Sequence, residues 1–257
     1  MVNGNYTLVH TDTLFHIHTF RCKHASFDTD EAYVKKAVEL GYSKIAFTDH
    51  APFPCNSLGE RFGSRMDFAE LLEYIASLKQ LKQAYAGLID VQIGLELEYL
   101  PSFLDFYKEL YANPDIEWLI LGQHFFEHSS GVYSFSDGPL EKEHHYIGLC
   151  QAMIDGMNTG LFRVLAHPDR VFRFHCWDED TSFWAEKVIR AALETNTILE
   201  NNLTSMLHHN YYKPEFWDLL KNILSEDPSL SAEVIKGFDA HSVEAVEHLY
   251  LFSHSQG

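Results

Sequence analysis

The sequence predicts an α/β fold in which seven parallel strands, each followed by a helix, close into a distorted barrel with one strand–helix unit fewer than the usual eight. Three observations support this prediction. Apolar β-like runs alternate with helix-like stretches almost throughout the chain. No Ser/Gly-rich linker or repeat interrupts them, so a single domain is predicted over residues 1–257. Each run also ends near a polar residue that can ligate a metal ion.

The predicted strands are short runs rich in β-branched and large apolar residues. They cover residues 13–18, 44–48, 91–97, 118–122, 163–166, 197–200 and 234–238. Asp67 and Glu70 have the spacing of a capping box, and Pro214 is placed for the first turn of a helix. Helices are predicted at residues 31–40, 67–85, 102–111, 140–158, 182–194, 214–224 and 242–252. A loop or small hairpin is predicted at 127–139.

Charge and cysteine content exclude several classes of protein. The formal net charge of −18 argues against nucleic-acid and anionic-membrane partners, although bound metal ions would still allow a small phosphate to bind. The cysteines form no CxxC pair, which argues against a disulfide framework; they are Cys22, Cys55, Cys150 and Cys176. Residues 1–14 lack the apolar core of a signal peptide, and no run is long enough for a membrane helix. We therefore expect a reduced, cytoplasmic location.

The polar residues at the strand ends carry most of the functional signal. His16 and His18 are two residues apart, so on a strand both would face the same side, and Asp239 and His241 repeat that spacing. Because the carboxyl ends of barrel strands meet at one face, these residues predict a cluster of several metal ions there. Taken singly, each histidine is better explained as a hydrogen-bonded residue at the edge of the core than as a metal ligand.

Six segments together resemble the polymerase and histidinol phosphatase (PHP) superfamily, most closely its monofunctional histidinol-phosphate phosphatases. They are HIHTFRCKH (16–24), FTDHAPFP (47–54), GLELEY (94–99), LGQHFF (121–126), AHPDRVFRF (166–174) and FDAHS (238–242). The segments follow the order of the family and span nearly the whole chain. The resemblance implies a distorted seven-stranded barrel, the PHP fold, with three divalent metal ions at the carboxyl-terminal face of its strands.

The resemblance also implies which residues hold the ions. The first metal would be held by His16, His18, Glu96 and Asp239. The second would share Glu96 with His124 and His167, and the third would lie between His24, His50 and His241. The mixture of imidazole and carboxylate suits zinc, manganese or iron. Glu98 points to the same side of its strand as Glu96 and is the alternative carboxylate.

The chemistry expected of such a centre is hydrolysis of a phosphate ester. A hydroxide bridging two metals would attack phosphorus, with Glu96 and Asp239 as the central carboxylates of the catalytic centre. Asp49 is predicted to orient a ligand or to act as an acid. Arg173, with Arg170 as a weaker candidate, is predicted to bind the substrate phosphate, and Asn202 to contact the substrate. A solvated loop arginine is the equal alternative for Arg173.

The resemblance predicts hydrolysis of L-histidinol phosphate to L-histidinol and phosphate, in histidine biosynthesis. One alternative is a PHP phosphoesterase acting on another small substrate, such as a nucleotide, a sugar phosphate or a phosphotyrosine protein. Another is a metal-binding PHP domain without activity, although the complete ligand set weighs against it. The sequence does not indicate an oligomeric state.

Overall fold

A computed structural model describes residues 6–54, 63–129, 132–135, 145–208 and 211–255. The strands are β1 Tyr6–Leu8, β2 Thr13–Ile17, β3 Lys44–Phe47, β4 Asp90–Leu97, β5 Trp118–Leu121, β6 Phe125–Ser129, β7 Val132–Phe135, β8 Val164–Leu165, β9 Ile198–Asn202 and β10 Ala232–Gly237. The helices are α1 Asp30–Glu39, α2 Leu71–Ala84, α3 Leu104–Ala112, α4 His145–Asn158, α5 Glu179–Thr195, α6 Leu203–Leu207, α7 Pro214–Glu226 and α8 Val243–Ser255.

The seven predicted strands are confirmed as β2, β3, β4, β5, β8, β9 and β10. The hairpin expected near residue 127 is the antiparallel pair β6–β7. The predicted helices are confirmed within a few residues at each end, and residues 136–144, where the hairpin and helix predictions extend further, lie outside the described part of the chain. Two short elements, β1 and α6, were not predicted from the sequence.

The chain forms two compact units. The β1 unit contains the described residues within 1–9, 98–104 and 121–236, and the β2 unit those within 10–97, 105–120 and 237–257. Among all described residues, no helix is both long enough and apolar enough to cross a membrane.

The β2 unit is built on strands in the order β5-β4-β3-β2. The pairs β2–β3 and β3–β4 are parallel, so their carboxyl ends lie at the same edge. Helix α2 packs on β4, and α1 packs on β3 and on α2 and α8. Gly94 is required in β4, because a Cβ there would come within 2.7 Å of the Trp118 Cβ and 3.0 Å of the Phe47 carbonyl oxygen. This close packing fixes the end of β4, where Glu96 lies.

The β1 unit is built on strands in the order β1-β10-β9-β8. β1 pairs with β10 in parallel, and β8 pairs with β9 in parallel. Helix α4 packs against α5, and α5 packs against α7. The α5 helix begins at a capping box formed by Asp178 and Thr181 and ends at Asn196 in the left-handed conformation. Its apolar face is buried, which anchors the helices around these strands.

Candidate metal centre

Glu96, near the end of β4, is the centre of a cluster of imidazoles in the β2 unit. Its Oε2 atom lies 3.3 Å from His16 Nε2, 3.3 Å from His18 Nε2 and 3.2 Å from His50 Nδ1. A parallel bridge between His50 and Glu96 sets the position of both residues. All four side chains are buried. A single carboxylate oxygen surrounded by three ring nitrogens is an arrangement that suits a metal ion.

Asp239 reaches the same cluster because residues after β10 lie beside β2. Phe238 donates its amide to Phe15 O at 2.9 Å, and His18 donates its amide to Ala240 O at 2.9 Å. The Asp239 Oδ1 atom then lies 3.3 Å from His18 Nε2. Burial alone would raise the pKa of Asp239, but the facing imidazoles outweigh it and hold that pKa well below its usual value. Positive charge facing Asp239 therefore stabilises its ionised form, which can bind a cation.

His24, His50 and His241 form a second group of rings in the β2 unit. The ring centroids of His24 and His241 are 4.4 Å apart, and those of His24 and His50 are 5.6 Å apart. The His241 ring also stacks on His18 at 4.3 Å. Burial lowers the pKa of His24, and burial is the largest cause that lowers the pKa of His241 to about 3. Neutral imidazoles have the free lone pair that a metal ion requires.

These residues fit a bound metal ion in the β2 unit. The His241 Nε2 atom is buried and has no hydrogen-bond partner among the described residues, which is costly unless a cation occupies the space before it. Ligand atoms within 4.8 Å of one another occur in three sets that share His18. The sets are His18 with His50 and His241, His16 with His18 and Asp239, and His18 with Cys22 and Asp49. The donors mix imidazole nitrogen with carboxylate oxygen, as zinc, manganese and iron prefer.

Three of the predicted ligands have strained backbones. The φ angles are 68° at His16, 51° at Asp239 and 32° at His167, in a region that residues other than glycine rarely adopt. At His16 the register between β2 and β3 is irregular between Phe15 and Ile17. The bulge, rather than regular alternation along a strand, turns the His16 ring toward Glu96. Such strain is typical of functional sites.

Asp49, next to His50, lies behind the ligands and is fully buried. Its carboxylate accepts hydrogen bonds from Thr19 N at 2.6 Å, Thr19 Oγ1 at 2.7 Å and Cys22 Sγ at 2.9 Å. Burial raises the pKa of Asp49, while those donors act in the opposite direction. Burial also raises the pKa of the Cys22 thiol, which keeps it protonated and able to donate. The Cys22 thiol therefore supports the Asp49 carboxylate from behind the predicted ligands.

A buried arginine continues this network. Arg21 forms a two-pronged ion pair with Asp30 at 2.9 and 3.0 Å and also bonds Glu73. Its Nη1 donates to Thr19 Oγ1 at 3.1 Å. Burial disfavours the charge, but these carboxylates outweigh it and raise the pKa of Arg21 above its usual value. No short sequence pattern indicates this group, because Arg21 and Glu73 are 52 positions apart.

His124 and His167 lie together in the β1 unit. Their ring centroids are 5.0 Å apart, and His124 Nδ1 is 3.1 Å from Glu98 Oε1. His167 donates its backbone amide to Glu200 Oε2 at 2.8 Å. Glu98, the alternative carboxylate, is thus a neighbour of His124, whereas Glu96 is the carboxylate surrounded by imidazoles of the β2 unit.

The predicted substrate residues also belong to the β1 unit. Arg173 is buried, with 9% of its surface exposed, and its guanidinium lies over the Phe174 ring at 4.5 Å and the Tyr211 ring at 4.7 Å. Arg170 lies over the same Tyr211 ring at 5.2 Å. The solvated loop residue that was the alternative for Arg173 does not agree with this burial. A pair of guanidinium groups on one aromatic ring is suited to an anion.

Asn202 caps a helix. Its Oδ1 accepts from Ser205 N at 2.8 Å at the start of α6, and its Nδ2 donates to Glu200 Oε2 at 3.1 Å. Asn202 is fully buried. These contacts give it a structural role, while its predicted contact with substrate stays a prediction.

Comparison with known proteins places the chain in a family. Residues 15–229 match the model of the PHP domain, and the chain belongs to the PHP family. A probable histidinol-phosphatase of Deinococcus radiodurans is 30% identical over 175 residues, covering 64% of this chain and 63% of that protein. A histidinol-phosphatase of Bacillus subtilis is 36% identical over 115 residues, covering 43% and 42%. The chain thus spans less than two thirds of these curated relatives.

Solved structures show the same fold. The structure of hisK from Listeria monocytogenes has a TM-score of 0.74 at 19% identity, covering 93% of this chain and 99% of that one. Histidinol phosphate phosphatase from Lactococcus lactis, solved with zinc, L-histidinol and phosphate, has a TM-score of 0.69 at 19% identity, covering 96% and 94%. The fold class predicted from the sequence, a distorted (β/α)7 barrel of the PHP type, is confirmed.

Proposed function

We propose that this protein is a metal-dependent phosphomonoesterase that hydrolyses L-histidinol phosphate to L-histidinol and phosphate in the cytoplasm. The observation that carries the proposal is the convergence of His16, His18 and His50 on one oxygen of Glu96. The histidinol-phosphatase names of the curated relatives, and the zinc, L-histidinol and phosphate bound to the Lactococcus lactis protein, support the substrate.

The chain's residues suit the binding of three divalent ions, which we propose as zinc, manganese or iron. His16, His18, Glu96 and Asp239 would hold one ion, and His24, His50 and His241 would hold another. His124 and His167 are proposed as the remaining ligands. When bound, such ions supply a water molecule of lowered pKa and positive charge opposite the phosphate oxygens.

The protein's own groups prepare this chemistry. Glu96 and Asp239 supply negative charge that would retain the cations, and burial lowers the pKa of His24 and His241, which favours the neutral ring that ligation requires. Asp49 receives three donors and is therefore suited to orienting its neighbours rather than to donating a proton. Arg173, with Arg170, would bind the phosphate of the substrate through charge-assisted hydrogen bonds. The net charge of −18 disfavours a nucleic-acid polymer, whereas bound metal ions would still allow a small phosphate to bind.

Phosphate release from L-histidinol phosphate and from a panel of other phosphomonoesters tests the proposal, using protein reconstituted with Zn²⁺ or Mn²⁺. We expect kcat/KM for L-histidinol phosphate to exceed that for nucleotides, sugar phosphates and phosphotyrosine peptides by at least ~100-fold, about 2.7 kcal/mol of discrimination. A higher value for another ester would retain the reaction and replace the substrate. Bound metal without turnover of any ester would overturn the phosphatase proposal in favour of a binding role.

Glu96→Gln tests the residues themselves. Replacing the charged ligand with a neutral amide should lower both metal content and kcat/KM by more than ~100-fold, because three imidazoles lose their shared anion. The exposed Glu244→Gln in α8 is the control and should retain both. Metal content should be measured by elemental analysis of the purified protein.

A further inference from the structure

Cys22 makes three hydrogen bonds at the back of the metal centre that the proposed reaction does not use. Its thiol donates to Asp49 Oδ1 at 2.9 Å and accepts from the backbone amide of His50 at 3.2 Å. The third contact joins Cys22 Sγ and His18 Nδ1, 3.3 Å apart. The side chain is fully buried. One sulfur atom therefore contacts residues from two of the segments that supply ligands.

The contact with His18 decides which ring nitrogen carries the proton. The Cys22 hydrogen is directed to Asp49, so the sulfur is the acceptor for His18, and His18 Nδ1 must be the donor. The neutral ring then has its lone pair on Nε2, the atom 3.3 Å from both Glu96 Oε2 and Asp239 Oδ1. Metal-binding histidines usually donate their second nitrogen to a carboxylate or a carbonyl. In this protein His18 Nδ1 donates to the Cys22 sulfur, and the Cys22 thiol in turn donates to the Asp49 carboxylate.

The carboxylate is itself held rigidly. Asp49 accepts from Thr19 N and Thr19 Oγ1, and Thr19 Oγ1 accepts from the buried Arg21 guanidinium at 3.1 Å. Asp30 fixes Arg21 from the other side. Every hydrogen bond in this series has a defined donor: Arg21 donates to Asp30 and Thr19, Thr19 and Cys22 donate to Asp49, and His18 donates to Cys22. The thiol is the last member before the ligand.

We propose that Cys22 is a positioning residue that holds His18 in the Nδ1-protonated tautomer, with Nε2 directed to the metal site. The inference rests on the proposed function, since it takes His18 as a metal ligand. Cys22 itself is not a ligand: its sulfur is 2.9 Å from Asp49 Oδ1, the distance of a hydrogen bond from a protonated thiol. Removing the thiol should weaken the metal affinity by ~10–100-fold, the usual effect of losing such a supporting partner.

The test compares Cys22→Ala with Cys22→Ser in the full-length protein. Zn²⁺ affinity is measured by competition with a chromophoric chelator, and the His18 tautomer by long-range ¹⁵N–¹H correlation spectra of the zinc-loaded protein. We expect Cys22→Ala to lose ~10–100-fold in affinity for one ion and Cys22→Ser to recover most of it, because a hydroxyl can both donate and accept. Cys150→Ala, also a fully buried cysteine but in α4, is the control and should bind Zn²⁺ like the parent.

Four results would overturn the inference. Cys22→Ala could bind Zn²⁺ as tightly as the parent, Cys22→Ser could be no better than Cys22→Ala, or His18 in the parent could carry its proton on Nε2. A thiolate-to-cobalt charge-transfer band in Co²⁺-substituted parent protein would also overturn it, by showing that Cys22 is a ligand. The proposed function fails separately, if the parent protein binds no metal at all.

Discussion

The two units of the molecule differ in the charged groups that they bring together. In the β2 unit, the carboxylates of Asp49, Glu96 and Asp239 lie among buried imidazoles, and the guanidinium of Arg21 is tied to Asp30 and Glu73. In the β1 unit, Arg170 and Arg173 lie over a shared tyrosine ring. The first arrangement suits cations and the second suits an anion. The phosphatase activity proposed above needs both, and on that proposal metal retention belongs mainly to the first unit and phosphate recognition to the second.

Removing the metal ions should have the largest effect, on both phosphate release and thermal stability. After dialysis against a chelator, we expect phosphate release to fall to the level of a control without enzyme, because the buried imidazoles and carboxylates hold no nucleophile of their own. The midpoint of thermal unfolding should fall as well, since an ion at ~100 times its Kd stabilises the folded state by ~2.7 kcal/mol. Activity measurements and calorimetry before and after reloading with Zn²⁺ check both effects. Full activity in the chelated protein would contradict the assignment.

Arg21→Met should have the next largest effect, and on stability. It leaves Asp30, a buried carboxylate with 5% exposure, without its ion-pair partner, and such a loss costs ~3–5 kcal/mol of unfolding free energy. The matched control is Lys79→Met, which breaks the exposed ion pair with Asp115 at 2.7 Å and should cost less than ~1 kcal/mol. Urea unfolding monitored by circular dichroism measures both. Equal losses in the two variants would show that the Arg21 network adds nothing beyond a surface pair.

Arg173→Ala should have the smallest effect and should spare the metal. Loss of a charge-assisted hydrogen bond to phosphate is worth ~1.5–3 kcal/mol, so KM should rise ~10–150-fold while metal content stays that of the parent. Arg173→Lys should recover part of the loss, because lysine restores the charge but not the planar fork. The exposed Arg190→Ala is the control. Loss of metal in Arg173→Ala would remove the distinction between the two units.

The order of strands and helices could be predicted because each element has a local signal. The apolar run before His16 and the capping box at Asp67 are both local patterns, and each appears in the structure as β2 and as the start of the turn leading into α2. The strand β1 was missed because its three residues, Tyr6–Leu8, are partly exposed and show no apolar run. Its pairing with β10 depends on residues more than two hundred positions away.

The candidate ligands were predictable as residue types, but their geometry was not. Alternation along a strand predicted that His16 and His18 face the same side; in the structure both reach Glu96, and a bulge and a left-handed residue bring this about. The hydrogen bonds that support these ligands could not be predicted, because Thr19 and Asp49 are 30 positions apart and Arg21 and Glu73 are 52 positions apart. Such contacts arise from tertiary packing, which no short pattern in one sequence records.

The left-handed backbones of His16, Asp239 and His167 have a consequence for how this protein can change over generations. Each costs the folded chain on the order of 1 kcal/mol or more, which glycine would not incur. In a lineage that no longer needed the ions, selection would no longer retain these ligands. Mutating the three positions to glycine would then increase the stability of the fold without a cost in function. The three positions are therefore where a descendant without metal chemistry would be expected to diverge first.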